Sequence, residues 1–161
     1  IRNKEFSFSG RNRRPPKDEV NALLSFAYTL LANDIHSAID IVGLDAYMGF
    51  LHADHYGRAS LAMDLMEEFR ALFADALVLS CVNKRVVSKD DFEFKFGGAC
   101  YLKENPRKKF LDQYEAKKQQ EFIHPHFKTK MTYQRAFEMQ TRLLVKHLEN
   151  ELSQYPPLIL R

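Results

Sequence analysis

Apolar residues recur every three or four positions over most of the chain, and this spacing predicts a mainly helical fold. The first such stretch begins at Asp18, a good helix-capping residue, and ends near residue 31. A second stretch over residues 34–42 predicts another helix, which Gly43 is placed to end. Residues 43–60 have no long periodic run, so we expect a surface loop there.

The longest periodic stretch runs from Ser60 to about Arg85. A helical projection places most of its apolar side chains on one broad face. A narrower arc is acidic and holds Asp64, Glu67, Glu68 and Asp75. The only basic side chain within one turn of this arc is Arg70, so the projection predicts crowded carboxylates.

The second half of the chain predicts one β-hairpin between helices. Residues 92–96 alternate apolar and polar, Gly97-Gly98 is a turn signal, and residues 99–102 follow as a second strand. Further helices are expected from about residue 105 to 122 and from 132 to 152. The predicted fold class is therefore mainly α, a multi-helix domain with a small β-hairpin near residues 92–102.

Length and composition limit the architecture and the setting. With 161 residues and 45% apolar side chains, we expect one helical domain over residues 17–161, preceded by a basic segment over residues 1–16. No apolar run approaches the roughly 20 residues of a membrane helix, and the start of the chain lacks a signal peptide's apolar stretch. The two cysteines predict reduced thiols in a cytoplasmic protein that contacts no membrane.

Charge is unevenly distributed around the net value of +3. Residues 34–91 contain ten acidic and five basic side chains, whereas both flanking regions are basic. An acidic middle between basic flanks suits a site that holds a cation within a polyanion-binding surface. Solvated charged faces explain the same pattern, and charge alone leaves both interpretations open.

One group of residues could carry chemistry. His52 in the loop, with Asp64, Glu67 and Glu68 on the next helix, offers the nitrogen and oxygen ligands that Mn²⁺ accepts and, in its oxygens, those that Mg²⁺ prefers. The alternative is that the helix dipole favours these carboxylates and that His52 is a surface group.

Two other patterns have open or structural explanations. His52-x-x-His55 and His124-x-His126 have metal-ligand spacing, but structural or surface roles are favoured for both pairs. The run Arg11-Asn12-Arg13-Arg14 either binds phosphates or is a solvated linker.

Several motifs occur in a fixed order along the first seventy residues. They are Arg11-Asn12-Arg13-Arg14-Pro15-Pro16, Val42-Gly43-Leu44-Asp45, Gly49-Phe50-Leu51-His52 and Gly57-Arg58-x-Ser60-Leu61-x-x-Asp64-Leu65-Met66-Glu67-Glu68-Phe69-Arg70. With these motifs the chain closely resembles the Cas1 family, the CRISPR-associated integrases of spacer acquisition. Asp91-Phe92-Glu93, Arg107 to Phe110 and His124-Pro125 resemble the type I-C form of that family.

The resemblance implies the helical C-terminal domain of a metal-dependent DNA endonuclease and integrase of antiviral defence in the prokaryotic cytoplasm. Family members form homodimers, and two homodimers flank a dimer of the small partner Cas2 to hold a prespacer duplex. The prespacer 3′-hydroxyls attack phosphodiesters at the CRISPR repeat next to the leader.

The family pattern also implies roles for individual residues. Its metal, Mg²⁺ or Mn²⁺, is held by a glutamate, a histidine and a carboxylate; His52 matches the histidine and Glu67 the carboxylate. Asp64 matches a neighbouring acidic position that supports the site, which gives the catalytic set His52, Glu67 and Asp64. The basic residues expected to contact DNA are Arg11, Arg13, Arg14, Arg58 and Arg70.

One part of the family pattern is absent from this sequence. The family's first metal ligand lies in a Gly-x-Glu-Gly-like motif upstream of the Arg-Arg-Pro-Pro run, and residues 1–10 contain nothing similar. Glu5 does not match that ligand, and the family's β-rich N-terminal domain is not present. We therefore expect this chain to bind metal weakly and to have little or no activity alone.

A different class of function remains as the alternative: a non-catalytic helical module for DNA binding or assembly. Its basic flanks would hold duplex DNA, and its acidic arc would be solvated. Such a module binds DNA in a salt-dependent way that EDTA does not affect.

Overall fold

The computed structural model describes residues 1–51 and 56–159. The fold is mainly α, as predicted. In chain order the elements are α1 (Glu19–Val42), α2 (Ser60–Phe69), a π-helical turn (Arg70–Asp75), α3 (Ala76–Asn83), a 3-10 turn (Lys89–Asp91), β1 (Phe92–Lys95), β2 (Ala99–Leu102), α4 (Glu104–Lys118), β3 (Glu121–Ile123), β4 (Lys130–Thr132) and α5 (Tyr133–Leu148). Within the described ranges, no helix is both long and apolar enough to cross a membrane.

Helix α1 corrects the expectation of two separate helices, because it is continuous over 24 residues. Leu31, Ile35 and Ile39 are fully buried and spaced by four, so one apolar stripe crosses the predicted break. Asp18 caps the helix as predicted, since its carboxylate accepts a 2.8 Å hydrogen bond from the amide of Asn21. Gly43 ends it with a φ of +90°, a conformation that costs glycine little.

The helical run predicted from Ser60 is present to Asn83, but it is divided by the π-helical turn Arg70–Asp75. The turn lies directly after the segment that carries the acidic residues of α2. Turns of this type are often found at functional sites.

The predicted hairpin is confirmed in position, and its register places Phe92 opposite Leu102 and Lys95 opposite Ala99. A second hairpin, β3–β4, was not predicted, and the helix expected to reach residue 122 ends at Lys118 instead. Phe122 faces Met131 across this hairpin and stacks on Tyr133 at 4.7 Å between ring centroids. Burial against that ring favours a strand at Phe122 over another helical turn.

The chain forms two compact units. Unit 1 contains residues 1–29 and 73–117, and unit 2 contains the described residues of 30–72 and 118–161. In unit 1 the ring of Phe73 meets Tyr114 edge-on at 5.1 Å. Phe6 of the basic N-terminal segment is buried in the same unit and lies against Phe92.

Unit 2 contains α2, α5, the β3–β4 hairpin and the C-terminal segment that follows α5. Its apolar core is built around Phe69 and Phe137, whose rings meet at a right angle with 4.8 Å between their centroids. This contact joins α2 to α5. Glu67, the exposed glutamate of α2, therefore projects from a helix that is fixed by its apolar face.

Candidate functional site

Asp64 lies in the first half of α2, where only 8% of it is exposed. One carboxylate oxygen accepts hydrogen bonds from the backbone amides of Phe50 and Leu51, at 2.7 and 2.9 Å. These bonds fix the chain immediately before His52, which itself lies outside the described residues, as does His55. The geometry gives Asp64 the task of anchoring the segment that leads to the predicted histidine.

Glu67 follows one turn later and is much more accessible, with 44% of its side chain exposed. Both of its oxygens accept from one guanidinium nitrogen of Arg70, at 2.6 and 2.9 Å. Exposed pairs of this kind contribute little to stability, so a competing cation can displace the arginine at small cost.

Glu67 fits a divalent cation by its chemistry, since Mg²⁺ and Mn²⁺ prefer carboxylate oxygen. In residues 1–51 and 56–159, however, no group of three or more His, Cys, Asp or Glu side chains is arranged to hold a metal. Glu67 is thus an accessible carboxylate that no group of described potential ligands completes into a metal site.

Glu68 has a different environment from its neighbour. Its carboxylate accepts hydrogen bonds from the Tyr155 hydroxyl at 2.5 Å, from Gln140 Nε2 at 2.7 Å and from the Leu158 amide at 2.7 Å. Burial and the nearby Glu68 carboxylate raise the pKa of Tyr155, so its hydroxyl remains a donor. The carboxylate crowding predicted from the helical projection is relieved here by donors within the protein.

His124 and Gln140 form a fully buried pair behind Glu68. The amide of His126 donates to His124 Nδ1 at 3.3 Å, so the ring proton is on Nε2 and is donated to Gln140 Oε1 at 3.1 Å. Burial lowers the pKa of His124 and keeps the ring neutral. The structural role favoured for His124 is confirmed.

A cavity of about 330 Å³ opens beside these side chains. Its wall is mainly apolar, and the carboxylates of Asp64 and Glu68 both lie along it. The residues that line it are Phe50, Leu51, Leu61, Asp64, Leu65, Glu68, Leu144, His147, Leu148 and Tyr155. Tyr155 comes from the segment after α5, so the C-terminal segment forms part of the cavity wall.

The predicted DNA-contacting arginines have unlike surroundings. The Arg11 guanidinium binds Asn21 Oδ1 at 2.7 Å and Ser25 Oγ at 3.0 Å, and it lies over the Tyr28 ring. Arg11 therefore has a structural task inside unit 1. The side chains of Arg13, Arg14 and Arg58 are exposed, whereas Arg70 is occupied by Glu67.

Comparison with protein families identifies the group to which this sequence is related. Residues 1–116 match the family described as CRISPR associated protein Cas1. The chain belongs to the Cas1 family.

Individual Cas1 proteins match over nearly the whole chain. The CRISPR-associated endonuclease Cas1 1 of Chlorobaculum tepidum is 44% identical over 156 residues, which cover 97% of this chain and 46% of the relative. The endonuclease Cas1 3 of Thermus thermophilus is 46% identical over 98% of this chain and 47% of its own length. The chain thus spans about half the length of the curated relatives it matches.

Solved structures have the same fold. A casposase bound to integration product aligns with a TM-score of 0.86 at 25% identity, over 98% of this chain and 48% of that one. A partial Cas6-RT-Cas1–Cas2 complex aligns with a TM-score of 0.81 at 26% identity, over 98% of this chain and 47% of that one.

The match to the Cas1 family model includes α2 with Asp64, Glu67 and Glu68. The side-chain partners of Glu68, on α5 and in the C-terminal segment, lie beyond residue 116. The motif in the sequence therefore indicates the acidic helix but not the contacts that distinguish Glu68 from Glu67.

Proposed function

We propose that this chain is the helical catalytic part of a metal-dependent DNA integrase and endonuclease that inserts new spacers into a CRISPR array. Membership of the Cas1 family supports the assignment, as do relatives named endonucleases and a casposase structure named for its integration product. The observation that carries it is the arrangement on α2. Asp64 holds the backbone that leads to His52, while Glu67 offers an accessible carboxylate one turn away.

In this proposal His52 and Glu67 hold Mg²⁺ or Mn²⁺, and Asp64 completes the catalytic set by positioning the loop. The ion, when bound, favours ionisation of the attacking 3′-hydroxyl and stabilises the negative charge that develops on the phosphate. Arg70, once displaced from Glu67, and Arg58 help to hold the phosphate that is attacked. Arg13 and Arg14 contact the DNA backbone, and Arg11 supports them from within unit 1 through Asn21 and Ser25.

The remaining ligand is proposed to come from outside this chain. Curated relatives are about twice as long, and nothing in residues 1–10 matches the family's Gly-x-Glu-Gly-like motif. With two ligands, this chain binds the ion weakly and joins DNA poorly by itself.

The assembly proposed for the longer protein follows the family. It is a homodimer that binds Cas2, a prespacer duplex and the leader-repeat DNA in the prokaryotic cytoplasm. The aligned complex that contains Cas1 and Cas2 supports the Cas2 contact. We also propose the type I-C form, on the basis of Asp91-Phe92-Glu93, Arg107 to Phe110 and His124-Pro125.

One observation favours the alternative of a non-catalytic DNA-binding or assembly module. Arg70 neutralises Glu67, and three donors surround Glu68, so the described carboxylates are balanced by groups of the protein itself. Such a module binds DNA equally well with and without EDTA.

Calorimetric titration of Mn²⁺ into this chain and its Glu67→Ala variant tests the half-site, the pair of proposed ligands His52 and Glu67. Weak saturable binding that the variant loses supports it, and Glu151→Ala, which breaks an exposed pair with Lys146, is the matched control. No binding by either protein means that the glutamate of the family's Gly-x-Glu-Gly-like motif is required to hold the ion.

Strand joining is then measured on a chimera in which this chain replaces the matched half of the Thermus thermophilus relative. We expect joining that requires Mn²⁺ or Mg²⁺ and that His52→Ala and Glu67→Ala both abolish. Unchanged joining in both variants would refute the proposal, and DNA binding without joining, insensitive to EDTA, would favour the alternative.

A further inference from the structure

The two neighbouring glutamates of α2 contact different parts of the chain. Glu67 is exposed and paired at the surface with Arg70, whereas Glu68 is held by three residues of unit 2 that are distant from it in sequence, one on α5 and two in the C-terminal segment. Tyr155 and Leu158 lie 87 and 90 residues further along the chain, and Gln140 lies 72 residues further.

We propose that Glu68 is a positioning residue that docks the C-terminal segment 155–158 and α5 onto α2, and that this docking holds Glu67 where it can bind the metal. Tyr155, Gln140 and His124 belong to the same hydrogen-bond network. The first half of the proposal concerns the fold of unit 2 alone. The second half rests on the proposed function.

The acceptor capacity of the carboxylate favours an anchor over a ligand. A carboxylate has about four lone-pair positions, and Tyr155, Gln140 and Leu158 fill three of them. A metal ligand at Glu68 would have to break hydrogen bonds to a charged acceptor, which are among the stronger ones in proteins. Among the described residues Glu67 pairs at the surface with Arg70, so binding there disrupts much less.

The orientation of the Gln140 side-chain amide is set by its hydrogen bond with His124. Its Oε1 is occupied by His124 Nε2, and the amide nitrogen therefore faces Glu68, Tyr155 and the carbonyl of Pro156. Because His124 is itself fixed by the amide of His126, the buried pair has one arrangement of donors and acceptors. The hairpin β3–β4 thus contributes to the anchor through His124.

In the C-terminal segment the hydrogen bonds to Glu68 hold a stretch of chain that has no regular secondary structure. Residues 153–159 form neither helix nor strand, and the Leu158 amide, which lies outside any regular element, donates to Glu68 of α2. Leu158 is 4% exposed, so the side chain of this residue is buried where its amide is hydrogen-bonded to Glu68. Tyr155 lines the cavity beside Asp64, and loss of the anchor would open that wall.

Hydrogen exchange of the 161-residue chain, followed by mass spectrometry, tests the docking. Tyr155→Phe removes one hydroxyl and leaves the ring in place, and the exposed Tyr101→Phe is its matched control. Gln140→Met removes the amide at similar volume, with Gln134→Met on the surface of α5 as its control. We expect about tenfold faster exchange in residues 155–159 and in α2 for the two buried variants and not for their controls.

Mn²⁺ affinity of the same proteins tests the positioning. Both buried variants are expected to weaken Mn²⁺ binding several-fold while the controls do not. Glu68→Gln keeps an oxygen for Gln140 and Leu158 but removes the charge and the acceptor of the Tyr155 hydroxyl, so it should speed exchange while weakening Mn²⁺ binding less than Glu67→Gln does. A ligand role would instead make Glu68→Gln as damaging to Mn²⁺ binding as Glu67→Gln.

The outcomes separate the two halves of the proposal. Unchanged exchange in Tyr155→Phe and Gln140→Met would overturn the docking, whether or not Mn²⁺ binds. Faster exchange with unchanged Mn²⁺ affinity would overturn the positioning. If the unmodified chain binds no Mn²⁺, the remaining glutamate is required for binding, and a chimera with the upstream half of a relative provides the affinity comparison. Should Gln140→Met fail to fold, Tyr155→Phe still decides each comparison.

Discussion

The carboxylate of Asp64 accepts a 2.9 Å hydrogen bond from the backbone amide of Leu51, the residue immediately before His52. This contact joins a helix position to a loop position 13 residues earlier. An acidic residue that need not touch a metal thus holds the backbone that leads to the candidate histidine. Loss of Asp64 should therefore disturb the site through the backbone.

Asp64→Ala should lower the free energy of unfolding by about 1–3 kcal/mol, because two amides lose a charged acceptor. Urea denaturation followed by circular dichroism measures the change. Asp40→Ala is a suitable control, since that carboxylate is exposed, and it should shift stability by no more than about 0.5 kcal/mol. Equal shifts in the two variants would show that Asp64 does not anchor the loop.

Glu67→Ala, unlike Asp64→Ala, should leave the free energy of unfolding nearly unchanged. Its surface pair with Arg70 contributes less than about 1 kcal/mol, so the variant should keep the fold and its unfolding midpoint. The expected loss of Mn²⁺ binding then reflects a missing ligand. The measurement is the same urea titration, run beside the calorimetry, and a large drop in stability would give Glu67 a structural role instead.

Local pattern was enough to predict much of the fold. The Asp18 cap, the end of α1 at Gly43 and the register-setting turn at Gly97-Gly98 all depend on residues close together in sequence. Two local predictions were wrong for a physical reason. The break within α1 disappears because Leu31 and Ile35 share one buried stripe, and the end of α4 is set by Phe122 packing on Tyr133.

The candidate site was predictable only as a helix with acidic residues. Nothing local to α2 separates Glu67 from Glu68, because the donors that surround Glu68 lie 72 to 90 residues away. The structural task of Arg11 likewise depends on Asn21 and Ser25 of another element. The placement of His52 and the separation of residues 1–16 from a domain over 17–161 stay predictions.

His124 should make stability depend on pH. Burial lowers its pKa below the usual 6.5, so the unfolded chain takes up the proton first as the pH falls. Stability that is present above pH 6.5 is therefore lost below it. Urea midpoints at pH 7.5 and pH 5.5 measure this loss, which should be smaller in His124→Leu, whereas the partly exposed His36→Gln should retain it. An identical loss in His124→Leu would assign the effect to other groups.

Cys81 and Cys100 should be poor nucleophiles in the folded chain. Both thiols are buried in unit 1, and burial is the main cause that raises the pKa of each to about 11. At pH 8 only about one thiol in a thousand is ionised at that pKa, against about one in ten at the ordinary value of 9.0. Iodoacetamide at pH 8 should therefore modify neither cysteine in native protein and both in urea, as read by intact mass. Because the unfolded thiols ionise first, the same shifts predict falling stability from pH 9 to pH 11. Rapid alkylation of native protein at either cysteine would show that its thiol is reached by solvent.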